Sequence, residues 1–150
     1  MIVKFGLAAA LLAAGMLMGA SLPSHAQDSV EDPFALSSAG DAEKGRMVFN
    51  RCRACHVLSA DAPQRPTGPH LGGIFGRQTA ADPNFPRYSA ALREADFAWT
   101  EQKLDQWLAN PRGFLPGNKM AFAGLRNEQD RKDLIAYLRQ ATEAADQAAQ

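Results

Sequence analysis

Two cysteines and a histidine stand together in the segment Cys52-Arg53-Ala54-Cys55-His56. A Cys-x-x-Cys pair followed at once by histidine is typical of a site for covalent attachment of a c-type haem. Two intervening residues allow one turn of backbone to present both sulfurs to one edge of a porphyrin as thioethers, and the adjacent imidazole can then reach the iron. The segment therefore predicts one covalent haem c, with His56 as an axial ligand.

Three other uses of the cysteine pair have to be weighed. A structural zinc site needs a second pair of ligands, but the chain has two cysteines only, His25 lies in a leader-like segment, and His70 is isolated. A thioredoxin-like redox site belongs near a β-α-β pattern, which we do not find around the motif. A disulfide is common in exported proteins, but the position of the pair directly before a histidine favours thioether bonds.

The first 26 residues have the features of a signal peptide. Lys4 supplies a positive start, residues 5–20 are apolar or small, and Ser24-His25-Ala26 has the small-x-small form of a signal-peptidase site. The apolar run is short for a membrane span, which needs about 20 residues. We therefore expect cleavage after Ala26 and export to the periplasm, with an uncleaved membrane anchor as the alternative.

Composition is that of an ordinary globular protein. The 150 residues include 16 Lys and Arg and 16 Asp and Glu, and cleavage after Ala26 removes only Lys4 from these, so the mature chain carries a net charge of −1 before haem is added. This balance argues against nucleic acid as a partner. The length allows one domain, which we place at residues 40–142, after a flexible segment at 27–39 and before a frayed tail at 143–150.

Helical periodicity and capping residues predict an all-α fold. Apolar residues recur at helical spacing at Leu104, Trp107 and Leu108, and again at Leu134 and Leu138. Side chains that can accept a hydrogen bond from a first-turn amide mark the helix starts. The predicted helices run from Asp41 to about Arg51, over a short stretch begun by Ser89, from Thr100 to Asn110, and from Asn127 to a tail that begins at Thr142.

The segment 67–77 holds four glycines in eleven residues. Their order matches neither G-x-G-x-x-G nor the Walker pattern, and no strand precedes them, so a phosphate loop is not indicated. Glycine lets a backbone approach a flat ligand with no side chain between them. The carbonyl of Pro69 can accept a hydrogen bond from the second nitrogen of a ligating histidine, and such a bond would fix the plane of the ring.

A second axial ligand could come from His70, Met47 or Met120. A sixth ligand favours an electron carrier, whereas an open position favours a gas binder or a catalyst. We expect Met47 to pack in the core and His70 to lie at the surface. Met120 stands in an unusually apolar loop, 114–124, that should cover something. A lone methionine is also an ordinary gap-filling side chain, so spacing alone leaves its ligation open.

The choice of the second axial ligand is resolved by an ordered series of sequence blocks that resembles a known family. The blocks are GDAEKG from Gly40, CRACH, TGPHLGGIFGRQT, FAWT, LDQWLANP, PGNKMAFAGL and DLIAYLRQAT. They follow one another with nearly fixed spacing between residues 40 and 142, and together they resemble the class I cytochromes c, in particular the mitochondrial and bacterial c2-type branch.

The resemblance implies a class I cytochrome c fold, with three main helices plus short helices and loops around one covalent haem c. It implies that Cys52 and Cys55 carry the haem. It also implies that His56 and Met120 are the axial ligands of the iron, with the Pro69 carbonyl orienting the imidazole. Further residues match positions close to a haem propionate, namely Arg77, Tyr88, Trp99 and Asn118.

The function implied is electron transfer by a soluble periplasmic monomer that is not an enzyme. Its partners would be redox proteins of a respiratory or photosynthetic chain, with a cytochrome bc1-type donor and an oxidase, reductase or reaction-centre acceptor. The alternative from another class is a haem enzyme or ligand sensor in which Met120 is displaced. A membrane-tethered carrier is a third possibility.

Three positions depart from the family pattern. Trp107 stands where a tyrosine commonly reaches toward the methionine sulfur, His70 replaces a frequent asparagine, and Gly113 occupies a common site of a docking cation. Acidic partners are therefore less strongly implied than for many relatives. The basic residues close in sequence to the expected haem edge are Arg51, Arg53, Arg112, Lys119 and Arg126, and they form either a docking surface or an ordinary solvated mixture of charges.

Overall fold

The structure is a computed structural model that describes residues 40–65 and 67–148. Within these residues the chain forms five α-helices joined by loops: α1 (Ala42–Phe49), α2 (Ala90–Glu94), α3 (Glu101–Ala109), α4 (Pro111–Phe114) and α5 (Glu128–Ala148). One isolated antiparallel bridge pairs Gln78 with Ala98. The all-α prediction is confirmed. The expected leader at 1–26 and flexible segment at 27–39 lie outside the described residues.

Side-chain caps begin the helices where the sequence places them. Asp41 accepts hydrogen bonds from two amides in the first turn of α1, at 3.0 and 3.2 Å. Ser89 and Thr100 do the same for α2 and α3, each at 3.2 Å. Asn127 accepts the Gln129 amide at 2.8 Å before α5. Because each bond satisfies an amide that has no partner within its own helix, the four starts are fixed locally.

The helix ends differ from the prediction in two places. Asn110 and Pro111 end α3 as expected, but Pro111 is also the first residue of α4, which the sequence analysis missed. Proline is well suited to that first position because it has no amide to leave unpaired. At the carboxyl end, the frayed tail expected from Thr142 onward is wrong, since α5 continues to Ala148. Thr142 is 1% exposed, and its hydroxyl donates to the Leu138 carbonyl at 2.8 Å.

The contact between α1 and α5 holds the two ends of the domain together. Gly45 lies so close to α5 that a Cβ there would overlap the Asp133 carbonyl and come within 2.7 Å of the Tyr137 Cβ. The rings of Phe49 and Tyr137 pack with their centroids 5.5 Å apart. The Asp133 carboxylate accepts the Asp41 amide at 2.8 Å. The cysteine motif follows α1 directly, so this contact also places the motif.

The core lies between α3, α5 and the loops that face them. Its members are buried hydrophobic residues from α1, α3, α5, the glycine-rich segment and the loops before α3 and α5: Phe49, Ile74, Trp99, Leu104, Trp107, Leu108, Leu125, Leu134, Ile135 and Leu138. Met47 is not among them, because 61% of its surface is exposed. The expectation that Met47 packs in the core is therefore wrong. In the part of the chain that the structure describes, no helix is both long and apolar enough to cross a bilayer.

Candidate haem site

A cavity of about 260 Å³ lies against this core. Four side chains with ligand or attachment chemistry line it, namely Cys52, Cys55, His56 and Met120. The rest of the wall is largely apolar and comes from α3, α5 and the loops, with Ile74, Leu104, Leu108 and Leu138 as examples. Residues more than sixty positions apart in the sequence therefore meet around one apolar space.

The two cysteines are brought to the cavity by a turn that follows α1. The amides of Cys55 and His56 both donate to the Cys52 carbonyl at 3.0 Å, which gives the single turn that the spacing predicts. Burial raises the pKa of Cys52, opposed by the nearby Arg51 cation. A thioredoxin-like site relies on a lowered cysteine pKa to form the reactive thiolate, so this environment does not favour that alternative.

His56 is held in the orientation that a metal ligand needs. Its Nδ1 lies 2.8 Å from the Pro69 carbonyl oxygen, and since that oxygen can only accept, Nδ1 carries the proton. The lone pair is then on Nε2, which is the nitrogen left for a metal. Burial lowers the pKa of His56, opposed by the bond to Pro69. The surroundings of the ring therefore favour its neutral form, which is the form that binds a metal.

The glycine-rich segment packs directly on this histidine. A Cβ at Gly68 would lie 2.7 Å from the His56 Cε1 and 2.8 Å from the Cys55 carbonyl oxygen. The Leu71 amide donates to the Val57 carbonyl at 2.8 Å, which joins the segment to the chain just after the motif. The absence of a side chain at Gly68 is what allows Pro69 to reach the imidazole.

Met120 reaches the cavity from a loop that is tied down on both sides. Its amide donates to the Asn118 Oδ1 at 3.0 Å, and the Asn118 Nδ2 donates to the carbonyls of Pro111 and Leu115, each at 2.8 Å. Further on, the Leu125 amide donates to the Leu108 carbonyl at 2.7 Å. The apolar loop covers the cavity, as the sequence predicted, and its backbone is anchored to α3 and α4.

The residues matched to a haem propionate fall into two groups. Arg77, Tyr88 and Trp99 line the cavity, and Arg77 is joined to Trp99 through the bond from the Trp99 amide to its carbonyl at 2.9 Å. Burial raises the pKa of Tyr88, and the Arg77 cation opposes that shift. Asn118 is not among the lining residues, because its amide is used within the loop before Met120. The structure therefore brings three of the four to the cavity and gives Asn118 a supporting position.

Two polar residues near the site were misjudged or missed in the sequence analysis. His70 is only 8% exposed, so the expectation that it lies at the surface is wrong. It lies beside Asp82, 4% exposed, with the His70 Nε2 3.4 Å from the Asp82 Oδ2. Asp82 stands in a turn-rich stretch, where acidic residues are usually solvated. Its burial beside His70 depends on tertiary contacts, so no signal in the sequence indicated it.

Chemically, the arrangement fits a flat apolar ligand that contains a metal. The walls are hydrophobic, the histidine presents a neutral ring nitrogen, and methionine supplies a soft sulfur. Two thiols on one turn can form covalent bonds to one edge of the ligand. Cationic side chains also line the cavity, among them half-buried Arg77 and exposed Arg87. They can form ion pairs with carboxylates at another edge of the ligand. These features define a class of protein that holds a covalent haem.

Comparison with known proteins agrees with this reading. The cytochrome c family model matches residues 42–142. Cytochrome c of Chlamydomonas reinhardtii is 46% identical over 110 residues, which cover 73% of this chain and 96% of that protein. Cytochrome c type-1 of Ascaris suum is 45% identical over 100 residues, 66% of this chain and 87% of that protein. The structure of cytochrome cH from Methylobacterium extorquens superposes with a TM-score of 0.61 at 35% identity, covering 67% of this chain and 99% of its own.

The chain belongs to the cytochrome c family. Its fold is the class I cytochrome c fold that the sequence blocks implied, and its cofactor is one covalently bound haem c. Proteins of this family are electron carriers that work with redox partner proteins.

Proposed function

We propose that the protein is a one-electron carrier whose haem is attached through Cys52 and Cys55 and whose iron is ligated by His56 and Met120. The observation that supports this most directly is that all four side chains line one apolar cavity. The bond from His56 to the Pro69 carbonyl, at 2.8 Å, leaves only the other ring nitrogen for the metal.

The bound haem supplies an iron that exchanges one electron reversibly. The chain decides how readily it does so. Met120 offers a soft sulfur that favours the ferrous form, and a His/Met pair raises the reduction potential. The apolar wall formed by residues such as Ile74, Leu104 and Leu108 acts in the same direction, because a low-dielectric surround disfavours the additional positive charge of ferric iron.

Anchoring of both ligands keeps the site in one geometry. His56 is fixed through Pro69, and Met120 is fixed through Asn118 at 3.0 Å. Phe122 adds a further bond, from its amide to the Met120 carbonyl at 2.9 Å. A site that rearranges little between oxidation states exchanges electrons without waiting for the protein to move, so no bound substrate is required.

Electrons would pass through partner proteins that dock at the rim of the cavity. Arg51 and Lys119 are both exposed and both line the cavity, so they can steer an anionic partner in a manner that salt screens over about 8–10 Å. Docking of this kind is brief and uses a small interface. The partners proposed are a cytochrome bc1-type donor and an oxidase, reductase or reaction-centre acceptor, and the carrier acts as a monomer.

Redox potentiometry with the visible spectrum recorded at each step tests this function. We expect one reversible one-electron transition and, in the ferric protein at neutral pH, the weak long-wavelength band of sulfur bound to iron. A ferrous protein that binds carbon monoxide stoichiometrically at neutral pH, with no such band, would show an open position and would point instead to a sensor or a haem enzyme.

Export to the periplasm is part of the proposal. It is supported by the positive Lys4, the apolar stretch at 5–20 and the small residues that end at Ala26. We expect mass spectrometry of the haem-loaded protein from the exported fraction to give an amino terminus at Gln27. A chain that retains residues 1–26 in membranes would replace a free carrier with a tethered one.

A further inference from the structure

A buried group of polar side chains lies behind the cavity wall, and its members are not among the residues that line the cavity. Asp82 has a side chain with 0% exposure, and a carboxylate in that position needs compensating partners. Gln64 donates to its Oδ2 at 2.9 Å, and the Asn84 amide donates to its Oδ1 at 2.9 Å. The Nε2 of His70 lies 3.4 Å from the same Oδ2.

His70 is therefore in contact with a carboxylate at its edge. Since the carboxylate can only accept, it favours the neutral tautomer with the proton on Nε2, in which a second proton would bind at Nδ1. Nearby negative charge favours the doubly protonated, cationic ring. Histidine is also the side chain whose charge ordinarily changes between pH 5 and 8.

Arg77 opposes that charge from another side of the ring. Its Nη1 lies 3.3 Å from the His70 Nδ1 and 3.4 Å from the His70 Nε2. A nitrogen nearly equidistant from both ring atoms cannot lie in the ring plane, because it would collide with the Cε1 between them. The guanidinium therefore lies over the face of the imidazole, a packing that suits a neutral ring and repels a cationic one.

The same guanidinium connects His70 to the haem cavity. Arg77 donates to the Gly72 carbonyl and to the His70 carbonyl, each at 2.8 Å, and it is one of the residues that line the cavity. Tyr88 lies close enough to Arg77 and Asp82 for both to influence its ionisation. The charged and titratable groups around His70 therefore include Asp82, Arg77 and, beyond them, Tyr88.

We propose that His70 and Asp82 position the Arg77 guanidinium at the cavity wall and couple proton binding to electron uptake. The proposal rests on the proposed function, in which the haem next to this wall carries the electron. On reduction, one electron arrives from the donor and a fraction of a proton binds from solvent at the Nδ1 of His70. On oxidation, the electron leaves to the acceptor and the same fraction of a proton returns to solvent.

The direction in which protonation of His70 shifts the reduction potential follows from charge. A proton on His70 adds one positive charge behind the wall, and positive charge disfavours the ferric state, so protonation raises the reduction potential. By reciprocity, reduction raises the proton affinity of His70 by the same factor. We expect a factor of about three to ten. The potential should fall by about 30–60 mV as pH rises through the titration of His70, because tenfold corresponds to about 59 mV for one electron.

The test is the reduction potential of the haem-loaded protein from pH 5 to pH 9. The wild type should show the fall, and His70→Asn should give a flat profile, because asparagine keeps polar contacts without titrating. Asp82→Asn should move the transition to lower pH, because the carboxylate no longer favours the cationic ring. Glu128→Gln, at an exposed site at the start of α5, is the control and should retain the wild-type profile.

A second measurement does not depend on the variants folding. The ring C–H resonances of His70, followed by NMR against pH in the reduced and oxidised wild type, should give midpoints that differ by the same factor of about three to ten. Equal midpoints, a flat wild-type potential, or a slope that survives in His70→Asn would overturn the coupling. The long-wavelength band of the ferric protein separates the two proposals, since its presence with a flat potential removes only this inference.

Discussion

A chain in which Cys52 and Cys55 are both replaced by serine is expected to lose its stable folded state at 25 °C. Without thioether bonds the haem is held only by ligation and packing, and without haem the apolar wall of the cavity has nothing to pack against. The whole stability of a small domain is about 5–15 kcal/mol. At about 25 cal/mol per Å², burial of about 200–600 Å² of apolar surface against the haem would supply that much free energy.

Far-ultraviolet circular dichroism and urea titration of protein produced with a haem-ligation system measure this effect. We expect the double variant to be colourless after denaturing electrophoresis and to lack a cooperative transition. Each single variant, Cys52→Ala or Cys55→Ala, keeps one attachment site and should have an intermediate midpoint. A double variant that shows no haem absorption in native solution and still unfolds cooperatively would show that the core closes without haem, contrary to this account.

Local signals in the sequence accounted for most of the fold. Caps such as Asp41 and Thr100 act within one turn of their own helix, so they can be recognised without knowledge of the rest of the protein. The ends of helices were less predictable, because tertiary contacts determine them. Burial of Thr142 carries α5 past the point where its composition suggested fraying, and Asn110 and Pro111 begin a helix as readily as they end one.

The residues of the candidate site also divide into those that local sequence predicted and those whose positions depend on tertiary contacts. The sequence predicted the CRACH motif, Pro69 and the apolar loop around Met120 as parts of the site, because their chemistry or their resemblance to the family is carried by neighbouring residues. The burial of His70 could not be, because it depends on Asp82, twelve positions away, and on a guanidinium that folds back over the ring. Met47 was assigned to the core from its helix alone, although the packed face of α1 is occupied by Gly45 and Phe49.

Met120→Leu is expected to leave the fold intact. Among the variants that remain folded, it should change the reduction potential the most. Leucine is similar in size and apolar, so the packing of the loop should cost less than about 1.5 kcal/mol. The sulfur is lost, however, and axial ligation is the strongest control that a protein has over haem potential. We expect the potential to fall by on the order of a few tenths of a volt and the long-wavelength ferric band to vanish.

The matched control is Met47→Leu, the same substitution at a site with 61% exposure on α1, which should leave both spectrum and potential as in the wild type. Carbon monoxide binding to the ferrous Met120→Leu protein provides a second readout, because an open position admits the gas whereas a ligated iron excludes it. If Met120→Leu kept the band and the potential, the sulfur would not be on the iron. The backbone of Met120 is anchored through Asn118 and Phe122, and Met120→Leu leaves both bonds in place. A loss of the band and of the potential in this variant would therefore report the missing sulfur and not a movement of the loop.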